Sequence, residues 1–309
     1  MTGLVGPCST VGAAQTTRNN RTSAVNNSEH VIKGIDHLIV MTGDLDRSNR
    51  LWKSLGFATT ARGFHDSGGT ANHLIMLDQT YIELLGMVDR QQASPYRTMM
   101  EEAAGLWGIA LRGSAEAAFT FWTSLGLDVA APTSLSRAVD VAGRSERARF
   151  QITMLARTSE VPFLIFCCEQ LTPQFVWQPD QAPHPNGAST LKEVVLIVEG
   201  DGVQRQLGRI MGRSAIVDSS GSATINMGDC RIVFLSHAGF VRRFGAGAAV
   251  KSATRPTIAA VTIAAADLEG ARSEARHAAV LVLPTLKGGF IEILRDDGVV
   301  VEWVSASSS

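Results

Sequence analysis

GIDHLIVMTGDLDRSNRLWKSLGFATTARGFHDSGGTANHLIMLDQTYIELLG, residues 34–86, decides the architecture of this chain. Its first eight or so residues are an apolar, β-branched run. An amphipathic stretch follows, opened by Asp44 and stopped by Gly56. Three more short apolar runs come next, FATTARGF, NHLIMLD and TYIELLG. Asp suits a helix N-cap because its carboxylate accepts an otherwise unpaired amide of the first turn. Gly suits the end because it takes the left-handed conformation found there. Short apolar runs bounded by Gly, Asp and Ser are strands. The segment therefore reads strand–helix–strand–strand–strand, with His37 in its first strand and Glu83 in its last.

The same layout recurs three times. A shift of 70 residues lays AEAAFTFWTSLGL (115–127) on LDRSNRLWKSLGF (45–57), Trp122 on Trp52 and Leu125-Gly126 on Leu55-Gly56, with Ser114 at the second N-cap. A third copy begins at LKEVVLIVE (191–199) and a fourth at PTIAAVTIAA (256–265). Internal repetition of this kind sets the fold. One copy covers a single face of a small sheet, whereas two close a curved sheet around a shared concavity with helices outside. The expectation is an α+β chain of four βαβββ modules paired into two domains, each with a cleft. Residues 1–30 read as a disordered tail from their Thr, Ser, Asn and Gly content. The modules then assign 31–177 to domain 1, 178–190 (QPDQAPHPNGAST) to a linker and 191–305 to domain 2. HAGFVRRFGAGAAVKSAT (237–254) reads as a Gly-rich connection between copies three and four.

Bulk composition narrows the function. The 309 residues are 45% hydrophobic and 18% charged, ample for packed cores, and 28 basic against 29 acidic residues leave a formal charge of −1. That balance supplies no basic field for nucleic acid or an anionic membrane. No apolar run approaches the roughly 18 residues of a spanning helix. Four cysteines, Cys8, Cys167, Cys168 and Cys230, form neither a disulfide framework nor a zinc spacing, which fits a cytoplasmic protein.

Strand alternation sorts the candidate site residues. Ile35, His37, Ile39 and Met41 share a face, as do Tyr81, Glu83 and Leu85, and His73, Ile75 and Leu77. His37 and Glu83 are ionisable groups in strands otherwise suited to burial, where a carboxylate is costly unless paired or metal-bound. Glu83 could pair with Arg62 or His73, or share a metal with His37, since imidazole and carboxylate suit zinc, nickel, manganese or iron. Asn72, in the GGTAN turn before His73, belongs to a loop that brings backbone close to a ligand. His65 reads as exposed and His184, between two prolines, as a linker residue. Trp52 and Trp122 read as core.

The layout resembles the vicinal oxygen chelate superfamily, which includes glyoxalases, extradiol dioxygenases, methylmalonyl-CoA epimerase and antibiotic-binding resistance proteins. GIDHLIVMTGDLD, LGF, the GGTANH loop and YIELLG are similar to the glyoxalase-like subfamily in particular. In metal-dependent members the ligands come from the first and last strands of paired modules, which implies His37 and Glu83 here. The partner module departs from that pattern, with Trp107 at the His37 position and an apolar residue near Ile165 at the Glu83 position. In domain 2, Glu193 and Glu302 fall near the corresponding positions, but Ala260 or Val261 stands where a His belongs. The resemblance thus implies a small oxygenated ligand in the domain 1 cavity and lyase or isomerase chemistry, with dioxygenase chemistry disfavoured. Catalytic candidates are Glu83, His37 and His73; the ligand-binding set is Arg62, Asn72, Trp107 and Tyr81. One divalent metal on His37, His73 and Glu83, or a metal-free site, are equal alternatives. The alternative to an enzyme is a non-catalytic sequestering protein with Trp107 as a stacking wall. A homodimer is the partner pattern of some relatives.

Overall fold

The structure, a computed structural model, describes residues 1–2, 30–66, 68–89, 91–92, 96–102, 105–178, 183–219, 221–248, 255–277, 280–285, 289–294 and 297–307. Most of the expected N-terminal tail, with Cys8, lies outside them. The first half runs β1 (Ile32–Thr42), α1 (Leu45–Ser54), β2 (Gly63–Phe64), β3 (Thr70–Met76), β4 (Tyr81–Met87), α2 (Tyr96–Glu102), β5 (Gly105–Gly113), α3 (Ala115–Ser124), β6 (Thr133–Val141), β7 (Arg144–Met154) and β8 (Leu164–Gln170). The second half runs β9 (Ala188–Ile197), α4 (Gly202–Met211), β10 (Ile216–Val217), β11 (Ala223–Asn226), β12 (Arg231–Leu235), α5 (His237–Phe244), β13 (Thr257–Ala265), α6 (Leu268–His277), β14 (Leu281–Pro284), β15 (Phe290–Leu294) and β16 (Val299–Ser305).

These strands make two eight-stranded sheets, in the orders β2-β3-β4-β1-β5-β8-β7-β6 and β10-β11-β12-β9-β13-β16-β15-β14. Each half-sheet is one strand–helix–strand–strand–strand module. Its first and last strands are parallel, and two modules join antiparallel through their first strands, β1 to β5 and β9 to β13. The chain is thus α+β, with four modules paired in sequence order.

Local chemistry accounts for the helices. Asp44 accepts the Arg47 amide at 2.9 Å and caps α1, and Gly56 ends that turn at φ 80°. Ser114 holds the cap position of α3 without a side-chain bond; Glu169 Oε2 accepts the Ala115 amide at 2.8 Å instead. Trp52 and Trp122 are fully buried on the helix-bearing face of the first sheet. The opposite face of that sheet is concave, and the ends of its curl meet where His65 forms a bridge with Arg137. Asp66, paired with Arg147 and Ser136, clasps the same seam.

The expectation of a cleft in each domain is corrected in the second. HAGFVRRF is a helix, α5, rather than a connection. Its Phe240 and Phe244 pack with Val195, Ile197, Val233, Leu235, Ile291 and Ile293 on the face away from α4 and α6. Two aromatic side chains one helical turn apart fill the volume that the first sheet leaves open.

Candidate functional site

His37 and Glu83 reach one face through the parallel pairing of β1 with β4, whose register sets His37 beside Tyr81 and Ile39 beside Glu83. His37 Nε2 lies 3.7 Å from Glu83 Oε2, both side chains being buried. A register shift between Ile35 and His37 leaves Asp36 as an extra residue in β1. Such a bulge breaks alternation and re-aims neighbouring side chains. Asp36, wholly buried, thereby reaches His37 Nδ1 at 2.6 Å, while Gln170 Nε2 donates to the same carboxylate oxygen at 2.9 Å. A carboxylate at Nδ1 favours the tautomer whose Nε2 is free to face Glu83. Tyr81 stacks on His37 at 4.4 Å between ring centroids, and Phe166 meets its edge at 5.6 Å. Burial raises the Tyr81 phenol well above its ordinary range, so it stays a neutral hydroxyl.

Asn72 and His73 separate across β3. Leu74 is the register partner of Glu83, so Asn72, two residues back, shares Glu83's face. Its Nδ2 donates to Glu83 Oε1 at 2.6 Å. His73 points to the α1 side, where its Nδ1 donates to the Thr60 carbonyl at 2.9 Å. Burial lowers its pKa, and Arg62 and Lys53 act the same way. The expected His37/His73/Glu83 cluster is therefore not assembled. His65, read as exposed, takes the place beside Glu83 instead: its Nε2 is 3.7 Å from Glu83 Oε1 and its Nδ1 meets Thr70 Oγ1 at 2.8 Å. Burial holds His65 below its ordinary pKa. Only the pairing of β2 with β3 and the bridge to Arg137 carry His65 inward, and neither is a local property of FHDSGG.

The other expected residues are dispersed. Arg62 pairs with Asp46 on α1, not with Glu83. Trp107 is buried with its indole nitrogen unpaired, but the β5 residue in register with His37 is Ala110. His184 is an organised residue: Nδ1 accepts the Ala58 amide at 2.9 Å and Nε2 donates to the Met76 carbonyl at 2.6 Å, tying the linker to the first module. A cavity of about 630 Å³ opens on the concave side of the first sheet, walled by Gly63, Leu74, Met76, Arg137, Phe175 and His184 among others. Leu74 shares the face of Asn72 and Glu83.

Two sets of groups suit a cation. Asp36, His37 and Cys168 bring a carboxylate oxygen, a ring nitrogen and a sulfur within 4.8 Å of one another. In that set, however, Asp36 and His37 are already hydrogen-bonded, and burial, with the Asp36 charge, raises the Cys168 thiol well above its ordinary range. The second set is His37 Nε2 with Glu83 Oε2. In domain 2, Glu193 and Glu302 do converge, and the chain supplies the cation itself. The Arg243 guanidinium from α5 pairs with both carboxylates, and Thr262 Oγ1 donates to Glu302 at 2.7 Å.

A hypothetical protein from Staphylococcus aureus superposes with a TM-score of 0.60 at 13% identity, over 87% of this chain and 99% of that one. A fusion of a xylose isomerase-like TIM barrel with a 4-hydroxyphenylpyruvate dioxygenase gives 0.55 at 14% identity, over 91% of this chain and 50% of the fusion. A variant of 4-hydroxymandelate synthase from Streptomyces coelicolor gives 0.52 at 12%, over 87% and 91%. At these identities the likeness shows the fold alone. No curated protein matches the chain. Among the described residues no helix is long and apolar enough to cross a membrane. The family model for the glyoxalase-like domain matches residues 35–210, more than half of the 309, and it begins one residue before Asp36. With that match, and with four strand–helix–strand–strand–strand modules paired into two curved sheets, the chain belongs to the glyoxalase-like domain family of the vicinal oxygen chelate superfamily.

Proposed function

We propose that the first domain performs acid–base chemistry on a small oxygenated molecule, removing a proton next to a carbonyl, as an isomerase or lyase does. The observation that carries this reading is the buried Asp36–His37–Glu83 line, 2.6 Å at one joint and 3.7 Å at the other. Glu83 is the base. Asn72 fixes one of its oxygens and leaves the other facing the gap before His37. The substrate C–H proton passes to Glu83, and its bonding pair moves into the carbonyl to give an enolate. His37, positioned by Asp36, donates from Nε2 to the enolate oxygen when both of its ring nitrogens carry protons. Return of the proton to a different carbon or face completes an isomerisation; loss of a β-substituent completes an elimination. A donor already aimed at the developing oxyanion needs no reorganisation in the reaction.

A divalent metal is the cofactor that the fold family implies, and the residues fit it in part. His37 Nε2 and Glu83 Oε2 converge, and Asp36 on Nδ1 is the support that metal-bound histidines usually have. The second module faces them with Ala110 rather than further ligands, which leaves coordination positions open, as in catalytic rather than structural sites. A bound metal would act as a Lewis acid on a substrate oxygen.

The test is solvent exchange. The protein, as purified and after chelation, is incubated in D2O with a panel of aldehydes, ketones and hydroxyketones, and deuterium at the α-carbon is read by NMR. Glu83→Gln is expected to slow exchange by about 10²- to 10⁴-fold, the range of general-base catalysis. No exchange with any panel member under either condition refutes the reading. The apolar second half of the cup favours one other function, sequestration without turnover; it requires ligand binding that Glu83→Gln leaves intact.

A further inference from the structure

Arg137 is the one buried arginine among the described residues, at 7% exposure, and its guanidinium makes no hydrogen bond or ion pair with any of them. It stands on β6 opposite Ala148, in the wall of the 630 Å³ cavity. The backbone makes room for it: a Cβ added at Gly63 would lie 3.1 Å from an Arg137 guanidinium nitrogen and 2.6 Å from Asn72 Oδ1. Asn72 Oδ1 is itself buried and unpaired. The Glu83 carboxylate is the charged acid whose field reaches Arg137, and the neutral Tyr81 hydroxyl lies near it. Glu83 lies beyond ion-pair distance of it and is flanked by His37, His65 and Asn72.

An isolated buried charge costs several kcal/mol, on the order of the stability of a whole domain. A guanidinium kept in that state beside an open cavity marks the place of an anion supplied from outside. Its planar fork matches a carboxylate in bidentate fashion. The rest of the wall is largely apolar, with Leu74, Met76, Val139, Phe175 and Val176; the carboxylate in it, Asp140, is exposed and accepts the Gly143 amide at 2.9 Å. Arg62, the other arginine lining the cavity, is already paired with Asp46, so among the described residues no second free arginine or lysine lines it to balance a phosphate dianion.

We infer that this cavity binds an organic monocarboxylate with an apolar body, the carboxylate held by Arg137 and the body against Leu74, Met76 and Phe175. Neither His37 nor Glu83 lines this cavity, so the inference goes beyond the reaction proposed above and does not rest on it, since binding needs no proton transfer.

The test is calorimetric titration and thermal melting of the full chain with phenylacetate and hexanoate, their neutral amides, and phenyl phosphate. Wild type, Arg137→Met, Arg137→Lys and Glu83→Gln are compared. Wild type is expected to bind at least one acid about 30-fold more tightly than its amide, the effect of one charge-assisted bidentate contact. Arg137→Met removes that preference and, by deleting an unpaired buried charge, melts several degrees higher than wild type. Arg137→Lys keeps part of the preference, and Glu83→Gln, which removes a negative charge that reaches Arg137, does not weaken it. Neither acid binding, acid and amide binding alike, an Arg137→Met protein that retains the preference or melts lower, or a preference for phenyl phosphate each overturns the inference. Proton exchange without acid binding would sink this inference and spare the proposed reaction; acid binding without exchange would do the reverse.

Discussion

Glu292 sits on β15 with no exposed surface; among the described residues neither carboxyl oxygen has a partner in hydrogen-bond geometry, and the nearby Trp303 indole N–H only partly offsets the effect of burial. Burial pushes its pKa up to about 8 from an ordinary 4.5. Between those values the unfolded chain releases a proton that the folded chain keeps, so stability falls as pH rises through that window. The loss is fully developed above about pH 8 and absent below about 4.5. Glu292→Gln is therefore expected to stabilise the protein by about 3 kcal/mol at pH 7, taking 1.36 kcal/mol per pH unit, with no gain at pH 4. Urea titrations of both proteins at the two pH values check it, and equal stability at pH 7 would refute it. Such a residue is visible in GGFIEIL as an acid in an apolar run, but its lack of a partner is a tertiary fact. The candidate site divides in the same way. Alternation and the paired ends of the first module point to His37 and Glu83, and Asn72 follows from the glycine-rich turn. Asp36 is invisible because a regular strand sends it to the face opposite His37, and only the bulge brings the two together. The choice between His65 and His73 depends on the register of β3 against β4, which no periodicity encodes.

At the scale of elements, the sequence shows the regular parts of each module and hides what fills them. Strands and capped helices recur at a constant spacing because each module solves the same local problem. Helix α5 belongs to no module. Its eight residues, set among glycines, carry too little periodicity to stand out, and its reason for existing is the concave face it covers. Arg243 is the electrostatic centre of that plug, because it neutralises Glu193 and Glu302 on strands from two modules; Arg231 reaches only Glu193, at 2.6 Å. Removing one partner of a buried network leaves the other charges uncompensated, at a cost of about 3–5 kcal/mol. Arg243→Met should lose that much in urea unfolding, and Glu302→Gln added to it should recover part of the loss. A loss within 1 kcal/mol would mean that Phe240 and Phe244 hold α5 without the ion pairs. The arrangement also explains why Glu193 and Glu302 offer an outside ligand no free carboxylate: both are already bound to the chain's own cation.

The whole molecule is held together by the repeat that first announced it. Trp52 and Trp122 occupy equivalent places on α1 and α3, and both direct their indole N–H into the other half of the chain. Trp52 Nε1 donates to Asp297 Oδ2 at 2.8 Å, and Trp122 Nε1 to the Ile210 carbonyl at 2.8 Å. Ser48 Oγ adds a second bond to the same Asp297 oxygen at 2.6 Å, and Phe57 lies against Trp303 at 5.4 Å between ring centroids. Core packing, the sequence reading of the two tryptophans, is therefore only half of their work: their rings belong to the first domain and their polar edges to the seam with the second. Asp297, 3% exposed in the turn before β16, is the most concentrated point of that seam. Bonds to a charged acceptor contribute about 1.5–3 kcal/mol each, and leaving two buried donors unpaired adds to the loss. Asp297→Ala is accordingly expected to cost about 3 kcal/mol. Trp52→Phe in that background should cost less than it does in the wild type, since its partner is already gone. Because four of the five tryptophans lie before residue 178 and Trp303 lies in β16, indole fluorescence reports mainly on the first half and far-ultraviolet dichroism on both. If the seam makes the halves unfold as one, the two signals coincide in wild type and separate in Asp297→Ala; coincident curves in the variant, with unchanged midpoint, would show that the halves are coupled elsewhere.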